Sequence, residues 1–105
     1  MAIMVQWISR PVPGTSLPEF VQQAKRGISF WQKYKEAGTE MSFWATTGGE
    51  WGEFVFLARF PSFAAYGICH DKVIADPEFA AWQAGALESG TVDLIKSSIS
   101  REVPL

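Results

Sequence analysis

The chain has 105 residues, 48% of them hydrophobic and 14% aromatic, with five tryptophans and eight phenylalanines. That is more large apolar surface than one small core needs, so a partner interface or a ligand cavity is expected to absorb the excess. Nine basic and eleven acidic residues are scattered for a net charge of −2, which leaves no basic footprint for nucleic acid and no polybasic segment for a membrane.

No apolar run approaches a membrane span, and MAIMVQWISR lacks the charged-then-apolar layout of a signal peptide. The single Cys69 forms neither an internal disulfide nor a cysteine-based metal site. With no repeat or linker, one domain over residues 1–105 is expected, in the cytoplasm.

Ile3 to Arg10 alternates as a strand, and Pro11, Pro13 and Gly14 end it. Ser16 and Glu19 have capping-box spacing and open a helix whose apolar stripe is Leu17, Phe20, Val21, Ala24, Gly27, Ile28, Trp31 and Tyr34. Gly38 is placed to close that helix in a left-handed conformation. Glu40 to Thr47 reads as a second strand, and Gly48-Gly49-Glu50 as the hairpin turn into a third, Trp51 to Phe60. The third strand is apolar on both faces, with Phe54, Phe56 and Phe60 on one and Val55 and Leu57 on the other.

Pro61 stops the third strand, and Ser62 caps a helix over Phe63 to Ala75. Asp76-Pro77 restarts a short helix through about Glu88, Gly90 breaks it, and Thr91 to Arg101 is the last strand. The order is that of an α+β, ferredoxin-like βαββαβ domain: a four-stranded antiparallel sheet with helices on one face. The other face stays apolar, so a homodimer through sheet faces is expected.

Pro13-Gly14 leading into LPEFVQQAKRG, then FWATTGG, then EFVFLARFPSFAAYGICHDKVIADPEFAAWQ, resembles the NIPSNAP-like branch of the dimeric α/β-barrel superfamily. That superfamily also holds the antibiotic-biosynthesis-monooxygenase-type domains. The resemblance implies a homodimer whose sheets form a joint barrel, with a small-molecule cavity in each subunit. Relatives include cofactor-free monooxygenases acting on polyketides, lactone isomerases, polyketide cyclases and haem-degrading enzymes.

His70 is the candidate catalytic base. Helical spacing groups it with Phe63, Gly67 and Ile74 on a face turned to the sheet, with Tyr66 and Val73 flanking it. There a neutral imidazole could take a proton from a phenolic or enolisable substrate while Tyr66 donates to the developing oxyanion. The competing reading is a histidine that only ties helix to sheet through a backbone carbonyl. Candidate ligand contacts are Trp7, Trp31, Trp44, Phe56 and Phe63, for a small apolar or aromatic ligand. Trp51 and Trp82 complete the tryptophan set.

The remaining polar residues fit surface roles. Glu53 and Arg59 share a strand face and belong at the sheet rim, Glu50 is expected in solvent, and Asp71 points about 100° away from His70. Cys69 reads as an inert small residue. No cofactor and no metal are called for. The alternatives are a non-enzymatic dimerisation or sensor module, and a haem-binding protein with His70 as axial ligand. The haem-degrading relatives also use a first-strand asparagine and a tryptophan before the helix, where this chain has Gln6-Trp7 and Phe60.

Overall fold

Strand β1 (Ile3–Pro11) alternates between two environments, and the sheet is built outward from it. The computed structural model describes residues 1–48, 52–88 and 90–105. Helix α1 spans Leu17–Tyr34, β2 Glu40–Ala45 and β3 Phe54–Phe60. They are followed by helices α2 (Phe63–Ala75) and α3 (Pro77–Trp82), a π-helical turn (Gln83–Glu88) and β4 (Val92–Arg101). The sheet order is β2-β3-β1-β4, antiparallel throughout, which is the ferredoxin-like arrangement. The expected hairpin residues Gly49 and Glu50, and Trp51 at the expected start of the third strand, lie outside the described residues. Below them the Thr46 N–H donates to the Glu53 carbonyl at 2.9 Å and closes the base of the hairpin.

Pairing fixes which strand residues share a face. Ile3, Val5, Trp7 and Ser9 lie opposite Phe60, Ala58, Phe56 and Phe54, and these point to the helices. Met4, Gln6 and Ile8 lie opposite Arg59, Leu57 and Val55 on the face the helices leave open. Opposite β1, β4 carries one extra residue: Ile8 pairs with Lys96 but Ser9 pairs with Leu94. This bulge at Ile95 turns Leu94 and Val92 to the helix side, where a regular strand would have placed Ile95.

Ser16 Oγ accepts from the Glu19 N–H at 3.3 Å and starts α1. The buried stripe of α1 is Phe20, Ala24, Gly27, Phe30 and Trp31. Of the expected stripe, Val21, Ile28 and Tyr34 are only half-buried, and two larger differences have a physical reason. Leu17 is 55% exposed, in the first turn beyond the sheet. Phe30 is buried because α3 covers that flank, with the Phe79 ring edge-on to it at 5.5 Å. Helix α1 ends at Tyr34 with Lys35 extended, so Gly38 does not cap it. At φ +86° Gly38 serves the next turn, closed by the Thr39 N–H donating to the Glu36 carbonyl.

In α2, Ser62 Oγ accepts from the Ala65 N–H at 3.1 Å, as the cap requires. The side chains it buries are Ala65, Cys69 and Val73, not Phe63, Gly67, His70 and Ile74. Small Ala65 and Cys69 let the helix settle onto α1 and the sheet, with Cys69 Sγ 3.6 Å from the Trp31 carbonyl. Phe63 and Ile74 in that position would hold it off. Burial pushes the Cys69 thiol up to about 11, which keeps it protonated and inert.

The junction between α2 and α3 is tied to the end of α1. Buried Asp76 caps α3 by accepting from the Glu78 N–H at 2.8 Å. Its other oxygen accepts from the Tyr34 hydroxyl at 2.6 Å and lies 3.7 Å from Lys33 Nζ. The Tyr34 hydrogen bond holds the Asp76 carboxyl below its usual range, helped by the Glu78 N–H and Lys33. A depressed folded-state value means that the stabilisation is present above the ordinary carboxylate value. It is lost as pH falls through the folded one. Asp76→Asn should therefore lower the melting temperature at neutral pH by several degrees and flatten its decline in acid. Thermal melts of both proteins from pH 7 to pH 2 check this.

Candidate functional site

Two core clusters meet imperfectly on the helix side of the sheet. One gathers Ile3, Val5, Trp31, Phe56, Phe60, Cys69 and Val73, and the other Phe20, Ala24, Ala86 and Val92. Trp82 and Phe43 pack against both. Between the clusters lies a cavity of about 260 Å³. Its floor is Trp7, Ser9, Phe56, Val92 and Leu94 of the sheet, and its walls come from α1, α2, α3 and the π-helical turn. The turn contributes Gln83 and Leu87.

Aromatic rings set the shape of this space. Trp7 stacks on Phe56 with centroids 4.8 Å apart and tilts against Trp31 at 4.9 Å. Trp31 and Tyr66 lie parallel at 6.4 Å. Gly27 on α1 faces the Trp82 ring so closely that a Cβ there would collide with it. Trp82 Nε1 donates to the Gln23 carbonyl at 2.9 Å, which fixes the indole on α1 and the start of the π-helical turn beside it.

Of the candidate residues, the fold brings Trp7, Trp31, Phe56, Tyr66 and His70 together around the cavity. Two lie elsewhere. Trp44 pairs with Val55 on the open face, is 58% exposed, and donates from Nε1 to Ser42 Oγ at 2.7 Å. Phe63 is 56% exposed, in the first turn of α2, and does not line the cavity. Ser9, Phe43, Phe79, Gln83 and Leu87 line it without having been singled out from sequence. Ser9 lies two residues beyond Trp7 on an alternating strand, a signal available in the sequence.

His70 does not point down at the sheet. It lies one residue round from buried Cys69, at the cavity edge, with its side chain 43% exposed. Its ring centroid is 5.7 Å from Tyr66 and 6.1 Å from Trp31. Among the described residues no backbone carbonyl accepts from it. Asp71, expected to point away, curls back along the surface to place Oδ1 3.6 Å from His70 Nδ1. Burial raises the Tyr66 hydroxyl above its ordinary value, so it stays a proton donor through the neutral range.

His70 and Tyr66 are the only titratable side chains on the cavity wall among the described residues; no carboxylate, lysine or arginine lines it. Arg59, on the open face of the sheet, lies 3.9 Å from Glu102. Phe60 is fully buried in the core and does not line the cavity. Among the described residues no group of three or more potential ligands could hold a metal ion, and no helix is long and apolar enough to cross a membrane.

No family model matches the chain, and no curated protein matches it. Solved structures do. A NIPSNAP domain protein from Burkholderia xenovorans superposes with a TM-score of 0.72 at 18% identity, covering 100% of this chain and 95% of the other. Atu4242 from Agrobacterium tumefaciens, described as a NIPSNAP family protein with unknown function, gives 0.73 at 15% identity, covering 98% and 94%. The chain has the NIPSNAP-domain fold. SnoaB, a cofactor-independent oxygenase from Streptomyces nogalater, is also similar, with a TM-score of 0.66 at 11% identity over 99% of this chain and 95% of SnoaB. At these identities the likeness is one of fold, and in the NIPSNAP-domain fold seen here the cavity walls belong to this chain's own residues.

Proposed function

We propose that the protein is a NIPSNAP-like homodimer that binds a small aromatic or polyketide-like molecule in this cavity and acts on it without a cofactor. The observation that carries this reading is the aromatic-lined space of about 260 Å³ with His70 and Tyr66 as its titratable groups. An apolar pocket with a few convergent polar groups is the usual form of a small-molecule site. A dimerisation module alone has no use for one.

The chemistry follows from the two groups at the cavity edge. An imidazole nitrogen of His70 takes the proton of a phenol or enol, and the Tyr66 hydroxyl donates to the oxygen that becomes negative. The anion then has three outlets. Reprotonation at another carbon isomerises it, attack on an internal carbonyl cyclises it, and reaction with dioxygen oxygenates it. The similarity of fold to a cofactor-independent oxygenase supports the last class among the three.

4-Nitrophenol tests the proton transfer, because its anion is yellow. Bound to the wild type, it should show a larger phenolate fraction than in free solution at the same pH, and His70→Gln should bind it without that increase. The substitution should shift stability by no more than about 0.5 kcal/mol, as expected of a partly exposed ring without a backbone hydrogen bond. Equal phenolate fractions in the two proteins would contradict His70 as the base.

The dimer is supported by the open face of the sheet. Met4, Ile8, Val55 and Leu57 lie there around Gln6, with Trp44 beside Val55. Packing two such faces buries all of them. Leu57→Asp puts an unpaired charge on that face. Sedimentation equilibrium should give twice the chain mass for the wild type and the single-chain mass for the variant; a monomeric wild type would contradict the assembly.

A further inference from the structure

We propose that Ser9 is a specificity-determining residue, and that the ligand carries an uncharged carbonyl or hydroxyl oxygen at the end remote from its ionisable group. This rests on the reading of the cavity as the ligand site. Ser9 is only 8% exposed and lines the cavity. Its hydroxyl has no hydrogen-bond partner among the described residues. That hydroxyl faces the cavity with its donor and acceptor capacity unused by the protein, so a matching ligand group can take it up. The hydroxyls of Thr39 and Thr91 are buried without a partner among the described residues, but neither lines the cavity.

The position of Ser9 gives the ligand two polar ends. It lies two residues beyond Trp7 on β1, on the same face and roughly 7 Å further along the strand, opposite Phe54 and Leu94. Tyr66 lies in the other direction, its ring 5.2 Å from that of Phe60, at the far end of β3 from Phe54. Trp7, Phe56 and Trp31 fill the distance between. A phenolic or enolic group therefore goes to Tyr66 and His70, a flat apolar body lies on the rings, and a second oxygen meets Ser9. Among the described residues no cation lines the cavity, so that second oxygen is neutral.

Calorimetric titration with 2-naphthol and 2,6-dihydroxynaphthalene tests this. The wild type should bind the diol about fivefold more tightly, the contribution of one neutral hydrogen bond. Ser9→Ala should remove that preference and leave 2-naphthol affinity unchanged, with an unaltered melting temperature showing the fold intact. Equal affinities for the two compounds in the wild type, or a parallel loss of both in Ser9→Ala, would overturn the role of Ser9 alone. Binding of neither by the wild type would overturn the cavity reading as well.

Discussion

The central strands β1 and β3 are apolar on both faces, and a chain of this size cannot cover both from its own helices. Helices α1, α2 and α3 cover the side of Ile3, Val5, Phe56 and Phe60. The side of Ile8, Val55 and Leu57 is left to solvent or a second copy. The same excess of large side chains explains why the covered side does not close completely. Large rings, Trp7, Trp31, Trp82 and Phe56 among them, line the space that remains.

That space persists because its walls are tied at their ends. Asp76 joins the end of α1 to the start of α3, and the Trp82 indole is seated on Gly27 and bonded to the Gln23 carbonyl. Between these two points α3 is held across α1, and the π-helical turn begins beside the cavity. A side chain at position 27 would push Trp82 outward and with it that wall. The glycine of a helix interior, normally a weakness, is here what permits the close approach.

The order of elements and most of their ends were legible in the sequence. Ser62, Pro61 and Asp76-Pro77 are local signals whose meaning does not depend on the rest of the fold, and α2 begins and ends where they place it. The rotation of α2 was not legible. Apolar residues surround that helix, so periodicity singles out no face; the choice fell to the small side chains Ala65 and Cys69, which pack closest. The side of Trp44 could be decided only by the pairing of β2 with β3. No glycine or proline marks the bulge at Ile95, and nothing in Gln83–Glu88 distinguishes a π-helical turn from a continued α-helix. His70, expected on a face turned to the sheet, lies instead at the cavity edge, because the rotation of α2 was not legible.

The tryptophans provide the most direct test, since each indole N–H gives its own signal in a nitrogen–proton correlation spectrum. Saturation with 2-naphthol should move the signals of Trp7 and Trp31, which line the cavity, and leave that of Trp44, on the open face, in place. Movement of Trp44 with Trp7 and Trp31 unchanged would contradict the account, because the ligand would then lie on the wrong side of the sheet.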